Sequence, residues 1–224
     1  YGVTGHYVLG LEAYLMSGEK VRLGSETIKN VAGYDLKSLL IGSEGTLAVV
    51  TQVIVRLLPL PPRRLLFRVD FASLAEGARF VQRTIQGHVQ PAVLEFMDRS
   101  SLEAVHAYQH TPLEEGLRAA VLVEIDGSPA EVAEREARFE RLVVEAKPLG
   151  RERAETFAEQ EAMWATRRNI SPAIARLKPQ KINEAIVVPG IRIPETVEFI
   201  AGLAGALSLC IVMFGHFGDG NIHT

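Results

Sequence analysis

The sequence has little cysteine, which limits both its disulfide chemistry and its expected location. Cys210 is the only cysteine among 224 residues, so no disulfide can form within the chain. It lies in the apolar segment 209–213, which we expect to be a strand that buries the thiol as a small hydrophobic group. Because such chains are typical of reducing compartments, we predict a cytoplasmic location, or a peripheral one at a membrane through a partner.

The sequence also lacks a strong charge imbalance and a long apolar run. Its formal net charge is -3, and Lys and Arg do not cluster with aromatic residues, so nucleic-acid binding is not expected. The longest nearly continuous apolar stretch, 201–214, is shorter than the roughly 20 residues that span a bilayer, so we predict no transmembrane segment. The chain begins at Tyr1 without a signal-peptide pattern, and we expect a fragment of a longer polypeptide.

A proline-rich joint is the clearest division of the chain. Residues 59–62 read Pro-Leu-Pro-Pro, and consecutive prolines favour an extended backbone while removing amide donors that a central strand needs. We therefore predict two domains, residues 1–62 and residues 63–224.

Before the joint, alternating apolar residues predict strands, and two loops between them are rich in small residues. The strands are expected over 8–16, 20–23 and 47–55. The loops contain Asn30-Val31-Ala32-Gly33-Tyr34-Asp35-Leu36 and Ile41-Gly42-Ser43-Glu44-Gly45-Thr46. Glycine lets backbone amides approach a flat or anionic ligand closely, although glycines also mark plain turns.

After the joint, strands and helices alternate. Strands are predicted over 65–71, 93–97, 119–125 and 185–188, and helices over 74–85, 102–108, 129–144, 152–166 and 194–206. Two of the helices begin with the capping sequences Ser73-Leu74-Ala75-Glu76 and Ser128-Pro129-Ala130-Glu131. This order resembles split βαβ units and predicts an α+β fold, with helices packed on one face of an antiparallel sheet.

The last residues carry two histidines around a predicted turn. Asp219-Gly220 is a favoured central pair for a two-residue type I′ turn, and the apolar run 207–214 is expected to lead into it as a strand. In that register His216 opposes His223, with Cβ atoms about 4.5–5.5 Å apart, so both imidazoles can bind one metal ion. This would be half of a catalytic metal site whose third ligand comes from elsewhere. The alternative is a polar hairpin with two solvated histidines.

Three segments together resemble the FAD-linked oxidases of the vanillyl-alcohol oxidase superfamily, in the branch of glycolate oxidase, D-lactate dehydrogenase and D-2-hydroxyglutarate dehydrogenase. They are Tyr1-Gly2 with Val8-Leu9-Gly10-Leu11-Glu12, the two small-residue loops, and Gly215 to His223, which is the most specific. The resemblance implies that residues 1–62 are the second half of a two-part FAD-binding domain. Residues 63–224 would be a ferredoxin-like cap domain, truncated at its end.

The resemblance also implies where FAD would lie. Residues along the flavin would come from the two small-residue loops, namely Gly33, Tyr34, Gly42, Ser43, Glu44, Gly45 and Thr46. The nucleotide side of the cofactor would be held by Gly2, Val8, Leu9 and Gly10. For all of these residues the alternative role is packing and turn formation.

A substrate and a mechanism are implied as well. The substrate would be a small D-2-hydroxy acid, glycolate or D-lactate, oxidised to the 2-oxo acid by hydride transfer to flavin. Arg167 matches the position that pairs with the substrate carboxylate, with Arg168 as its competitor and a surface charge as the alternative for either. His216 and His223 would hold a divalent metal, zinc or similar, that lowers the hydroxyl pKa, and Asn221 would hydrogen-bond the substrate.

Parts of the family pattern lie outside this sequence. Family members carry a glycine-rich phosphate-binding segment upstream of Tyr1 and a further Glu ligand and a His downstream of Thr224. We therefore expect that these 224 residues alone neither hold FAD nor complete the metal site. Two alternatives stay open: a non-catalytic subunit that assembles with a redox partner, a flavin or iron-sulfur protein, and a flavin-free metal hydrolase that uses the paired histidines.

Overall fold

The computed structural model describes residues 1–178 and 180–224 and divides the chain into two compact units, Tyr1–Leu60 and Pro61–Thr224. The division falls inside the proline run at 59–62. Each unit has its own sheet and its own buried apolar cluster.

The first unit is built on a three-stranded antiparallel sheet in the order β2-β1-β3. Its strands are β1 (Val8–Leu15), β2 (Lys20–Gly24) and β3 (Ala48–Val55), as predicted from the alternating apolar residues. The short helix α1 (Leu36–Leu40) begins after Asp35, whose carboxylate accepts a hydrogen bond from the Ser38 amide at 3.1 Å. Its buried apolar cluster is small and contains Leu11, Ala13, Leu40 and Ala48.

The second unit contains a seven-stranded antiparallel sheet in the order β7-β4-β6-β5-β9-β10-β8. The strands are β4 (Arg63–Phe71), β5 (Val93–Asp98), β6 (Ala119–Gly127), β7 (Gly150–Ala154), β8 (Ala185–Val187), β9 (Phe214–Gly215) and β10 (Asn221–His223). The predicted α+β class with an antiparallel sheet is confirmed.

Helices cover both faces of this sheet. One layer consists of α2 (Leu74–Gln86), α4 (Pro129–Ala146) and α7 (Ile193–Leu207), and the other of α3 (Arg99–Gln109), α5 (Phe157–Arg168) and α6 (Ile170–Ile174). The reason is visible along β4, where Leu65 and Phe67 face the first layer and Leu66 faces the second, all fully buried. The prediction of helices on one face therefore describes the first layer and omits the second. In the part of the chain that the structure describes, no helix is both long and apolar enough to cross a bilayer.

Both predicted capping sequences begin helices. The Ser73 hydroxyl accepts a hydrogen bond from the Glu76 amide at 3.4 Å at the start of α2. At the start of α4, Ser128 and Glu131 form the full reciprocal capping box, with Pro129 at the first helical position. These capping sequences predict helix starts from residues that are close in the sequence, without knowledge of the tertiary structure.

The helix predicted over 152–166 is wrong in its first part. Residues Gly150–Ala154 form β7, which pairs with β4 from Leu66 to Asp70, and α5 begins only at Phe157. Thr156 and Glu159 form the capping box that starts α5. Pairing with the edge of the sheet overrides the helical preference of this charged segment.

The strand predicted over 207–214 is also wrong. Helix α7 continues to Leu207, Ser208 ends it in the left-handed conformation at φ 52°, and only Phe214 and Gly215 pair as β9. Cys210, predicted to be buried in that strand, is exposed.

Asp98 links the end of β5 to the segment that precedes β9. Its carboxylate accepts hydrogen bonds from the amides of Ser101 at 2.7 Å and Met213 at 2.9 Å, and its own amide donates to the Met213 carbonyl at 2.9 Å. Burial raises the pKa of Asp98 to about 6, against the lowering effect of the two amide donors.

We expect Asp98→Asn to remove a pH dependence of stability. Because the pKa is raised on folding, the folded chain binds this proton more tightly, so the contribution of Asp98 to stability falls as pH rises from about 4 to about 6. Two pKa units correspond to roughly 3 kcal/mol. The free energy of unfolding can be measured with urea at pH 4 and pH 7. Between these pH values it should fall by roughly 3 kcal/mol more in the wild type than in the variant. An equal pH dependence in both proteins would contradict the assignment.

Candidate functional site

The two histidines of the C-terminal turn lie side by side, but not in the predicted register. His223 on β10 pairs with Phe214 on β9, and a 3₁₀ turn, Phe217–Asp219, lies in the connection. The carbonyl of His216 accepts hydrogen bonds from the amides of Asp219 at 3.2 Å and Asn221 at 3.1 Å. The predicted two-residue type I′ turn is wrong, because five residues, 216–220, separate the two strands.

Phe217 explains the longer turn, because it anchors the connection in the core. Its ring stacks on that of Phe96 with centroids 4.4 Å apart and an interplanar angle of 11°, and both side chains are fully buried. Phe96 on β5 pairs with Gly215 on β9, so the turn is fixed beside β5.

Gly215 allows the close approach of β10. It has φ +145°, and a Cβ atom at this position would lie 2.8 Å from the Asn221 carbonyl oxygen and 2.9 Å from Cδ2 of His223. A side chain here would therefore displace the second histidine. The glycine is part of the geometry that brings the two imidazoles together.

The imidazoles of His216 and His223 have ring centroids 5.6 Å apart and an interplanar angle of 81°. The His216 side chain is half exposed. Burial lowers the pKa of His223, since it disfavours the imidazolium, and the positive charges of His216 and Arg167 lower it further. A neutral His223 keeps a nitrogen lone pair that can bind a metal ion or accept a hydrogen bond.

A buried carboxylate that the sequence analysis missed, Glu95, lies behind His216. Glu95 is 4% exposed; one carboxylate oxygen forms a hydrogen bond with Nδ1 of His216, and the other accepts from Nε of Arg167 at 2.6 Å. The signal was a single acidic residue in the apolar strand Val93-Leu94-Glu95-Phe96-Met97. Because buried charges require partners, an acidic residue in such a strand indicates a polar cluster.

Arg167, at the end of α5, completes this cluster. Its guanidinium carbon lies 5.0 Å from the centroid of the Phe214 ring, and the side chain is mostly buried. Arg168, the competing candidate, points elsewhere and forms an exposed ion pair with Glu161 at 2.7 Å. The structure therefore brings Arg167, and not Arg168, next to the histidines.

A cavity of about 800 Å³ opens beside the cluster and has both charged and apolar walls. Arg167, Phe214 and His223 line one side, and aliphatic side chains including Ile174 and Val212 line another. Asn221, the remaining predicted catalytic residue, follows the turn on β10, and its amide oxygen is buried without a hydrogen-bond partner among the described residues.

The cluster fits part of a metal site. Since Glu95 occupies Nδ1 of His216, the other ring nitrogen is left to coordinate, which is the usual arrangement of a carboxylate behind a metal-binding histidine. Within residues 1–178 and 180–224, no group of three or more His, Cys, Asp or Glu side chains is placed to hold a metal ion. The residues present thus fit two ligands rather than a complete set.

The first unit gathers most of the residues predicted to contact FAD around two cavities. Val8, Leu9, Gly33 and Tyr34 line a cavity of about 400 Å³, and Val8, Gly42, Ser43, Glu44 and Gly45 line one of about 370 Å³. The loop glycines at positions 33, 42 and 45 have positive φ and open space where a Cβ atom would stand, and the tyrosine is 94% exposed. Such a surface leaves backbone accessible to a flat ligand.

The other three predicted FAD contacts make local contacts instead. Gly10 faces Gly24 across β1 and β2, where an added Cβ atom would approach the Ser25 carbonyl oxygen to 2.9 Å. At Gly2, a Cβ atom would lie 2.9 Å from Nδ1 of His6. The hydroxyl of Thr46 donates to the Ser43 carbonyl at 2.6 Å.

Comparison with known proteins identifies the family of this chain. The family model "FAD linked oxidases, C-terminal domain" matches residues 60–224. The chain is 38% identical over 224 residues to the glycolate oxidase subunit GlcD of Bacillus subtilis, covering all of this chain and 47% of that protein. It is 30% identical over 230 residues to a D-lactate dehydrogenase of Anaerostipes hadrus, covering all of this chain and 48% of that protein.

A solved structure supports the fold. An alkyldihydroxyacetonephosphate synthase superposes with a TM-score of 0.71 at 15% identity, over all of this chain and 46% of that one. The chain spans about half the length of the curated relatives it matches. Because the family model covers most of the sequence, the chain belongs to the family of FAD linked oxidases and carries their C-terminal domain in residues 60–224.

Proposed function

We propose that this chain forms part of a flavoenzyme that oxidises a small D-2-hydroxy acid, glycolate or D-lactate, to the 2-oxo acid. The observation that carries the proposal is a cluster at the edge of a large cavity, in which buried Glu95 binds both Arg167 and His216, and the ring of His223 lies beside that of His216. The names of the relatives, a glycolate oxidase subunit and a D-lactate dehydrogenase, support the same chemistry.

In this proposal Arg167 binds the carboxylate of the substrate. Its Nε is engaged by Glu95, so its terminal nitrogens are the donors left for a ligand in the cavity that it lines. A guanidinium held in place by a buried carboxylate loses little entropy on binding, and it fixes which face of the acid is presented. Lysine at this position would supply charge without the planar geometry.

His216 and His223 are proposed to hold a divalent metal, zinc or similar, near the substrate hydroxyl. When bound, the metal would lower the pKa of that hydroxyl, and FAD would accept the hydride from the adjacent carbon. The lowered pKa of His223 favours its neutral ring, the form that can coordinate a metal. The side-chain oxygen of Asn221 is buried and has no hydrogen-bond partner within the described part of the chain, which supports the proposal that it accepts a hydrogen bond in the bound complex.

We infer that residues 1–62 are the second half of the FAD-binding domain and residues 63–224 the cap domain. Cofactor contacts are assigned to the two cavities around Tyr34 and Glu44, where the loop backbone is open. Since the B. subtilis relative is named as a subunit, we also propose a redox partner subunit that carries flavin or iron-sulfur groups and receives the electrons.

The test is flavin reduction in the full-length protein under anaerobic conditions. We expect a yellow protein whose visible flavin band is bleached by glycolate or D-lactate but not by L-lactate, and whose reduction stops after treatment with a metal chelator. A colourless protein would support the non-catalytic subunit, and metal-dependent hydrolysis without flavin would support the hydrolase. A flavin that none of these acids reduces would contradict the proposed substrate class.

A further inference from the structure

We propose that Glu95 is a positioning residue that sets the tautomer of His216 and the orientation of Arg167 at the same time. The catalytic purpose of this positioning rests on the proposed function, whereas the contacts of Glu95 do not depend on it. One carboxylate contacts both the proposed metal ligand and the proposed substrate-binding group, so a single buried side chain couples the two.

The sheet register puts Glu95 in this place. Met97 pairs with Phe214 and Phe96 pairs with Gly215, so the next position in the same antiparallel register sets Glu95 opposite His216. Phe96 points into the core on the other face of the sheet, where it stacks on Phe217. The aromatic pair thus holds the turn against β5 on one face of the sheet, and the carboxylate and the imidazole meet on the opposite face.

The carboxylate dictates where the proton of His216 lies. An ionised carboxylate only accepts hydrogen bonds, so Nδ1 of a neutral His216 must carry the proton, which leaves Nε2 with a lone pair. The second oxygen accepts from Arg167 at 2.6 Å, and the side-chain exposures of 6% and 14% show that this contact is largely shielded from water. Both oxygens are therefore committed.

Glutamine at this position can satisfy only one of the two partners in the same way. Its single oxygen would accept from the charged Nε–H of Arg167, which is always a donor, so its NH₂ group would face Nδ1 of His216. That nitrogen would then have to accept, and the proton would move to Nε2. The ring nitrogen proposed for the metal would be blocked, although the shape of the site would hardly change.

Glu124 provides a matched control. It is also a buried acid on the same face of the sheet, one strand away on β6, and Trp164 of α5 donates a hydrogen bond to it. Arg167 and Trp164 are three residues apart on α5, so both acids receive a donor from the same helix face. Glu124→Gln keeps an oxygen for Trp164 and removes the buried charge without touching the histidines.

The experiment combines ¹⁵N NMR of labelled histidines, at a pH where they are neutral, with calorimetric zinc titration of the full-length wild-type protein and its E95Q and E124Q variants. We expect His216 in the Nδ1–H tautomer in wild type and E124Q and in the Nε2–H tautomer in E95Q. Zinc binding should weaken about 10–100-fold in E95Q alone.

An unchanged tautomer in E95Q, or the same change in E124Q, would overturn the assignment. Finding His216 of the wild-type protein in the Nε2–H tautomer would also overturn it. This outcome needs only the wild-type protein and so does not depend on whether a variant folds. If the full-length wild-type protein binds no zinc while E95Q still changes the tautomer, the metal in the proposed function fails and the positioning role of Glu95 stands.

Discussion

Replacing Gly220 with alanine is expected to lower the free energy of unfolding by about 3 kcal/mol, since a left-handed non-glycine residue costs roughly 1–2 kcal/mol and an overpacked contact roughly 1–3 kcal/mol. Gly220 has φ +81°, and a Cβ atom there would lie 2.0 Å from the Val188 carbonyl oxygen. The Val188 amide donates to the Gly220 carbonyl at 3.0 Å, so this contact must open and the pairing of β8 with β10 must shift.

Thermal unfolding measures the effect, with a midpoint expected about 6–12 °C lower for the variant. Gly18→Ala is the control, because Gly18 has nearly the same φ, +83°, but no atom within 4 Å of the added Cβ. Its free energy of unfolding should fall by only about 1 kcal/mol, the cost of a left-handed backbone at a non-glycine residue. Equal losses in the two variants would show that the contact with Val188 does not limit this position.

His223→Gln is expected to reduce kcat/KM of the full-length protein for its hydroxy acid by at least about 10³-fold, because a metal supplies several kcal/mol of transition-state stabilisation. The geometric reason is that His223 lies 5.6 Å from His216 between ring centroids and lines the cavity with Arg167. Glutamine fills a similar volume but is a poor metal ligand, so the loss should appear mainly as lost metal and lost turnover.

The matched control for this variant is His106→Gln, measured by the same flavin-reduction assay. His106 lies on α3, where its Nδ1 is 3.0 Å from the Thr111 hydroxyl, and it is not part of the cluster around Glu95. It should keep wild-type turnover. If H223Q were as active as H106Q with normal metal content, the histidine pair would have no catalytic role.

Local signals in the sequence predicted most of the fold. The capping sequences at Ser73 and Ser128 locate two helices, because caps depend only on residues a few positions apart. The segment 150–154 was not predicted as β7, because its partner on β4 lies at least 80 residues earlier and its charged residues favour a helix. Non-local pairing is the information that local patterns lack.

The sequence predicted the residues of the candidate site better than it predicted their geometry. His216, His223 and Arg167 were identified from the sequence and lie together in the structure, yet the turn differs because Phe217 packs into the core and lengthens it. Glu95 was missed because its partners are 72 and 121 positions away in the sequence. A charged residue in an otherwise apolar strand was the one available indication.

Zinc K-edge X-ray absorption of the full-length protein tests the histidine pair most directly. We predict a divalent ion with two imidazole nitrogens in its first shell, one of which is lost in H216Q and one in H223Q, with both lost in the double variant. A fully active protein without metal would contradict the account. So would a bound metal whose spectrum in all three variants is the same as in the wild type.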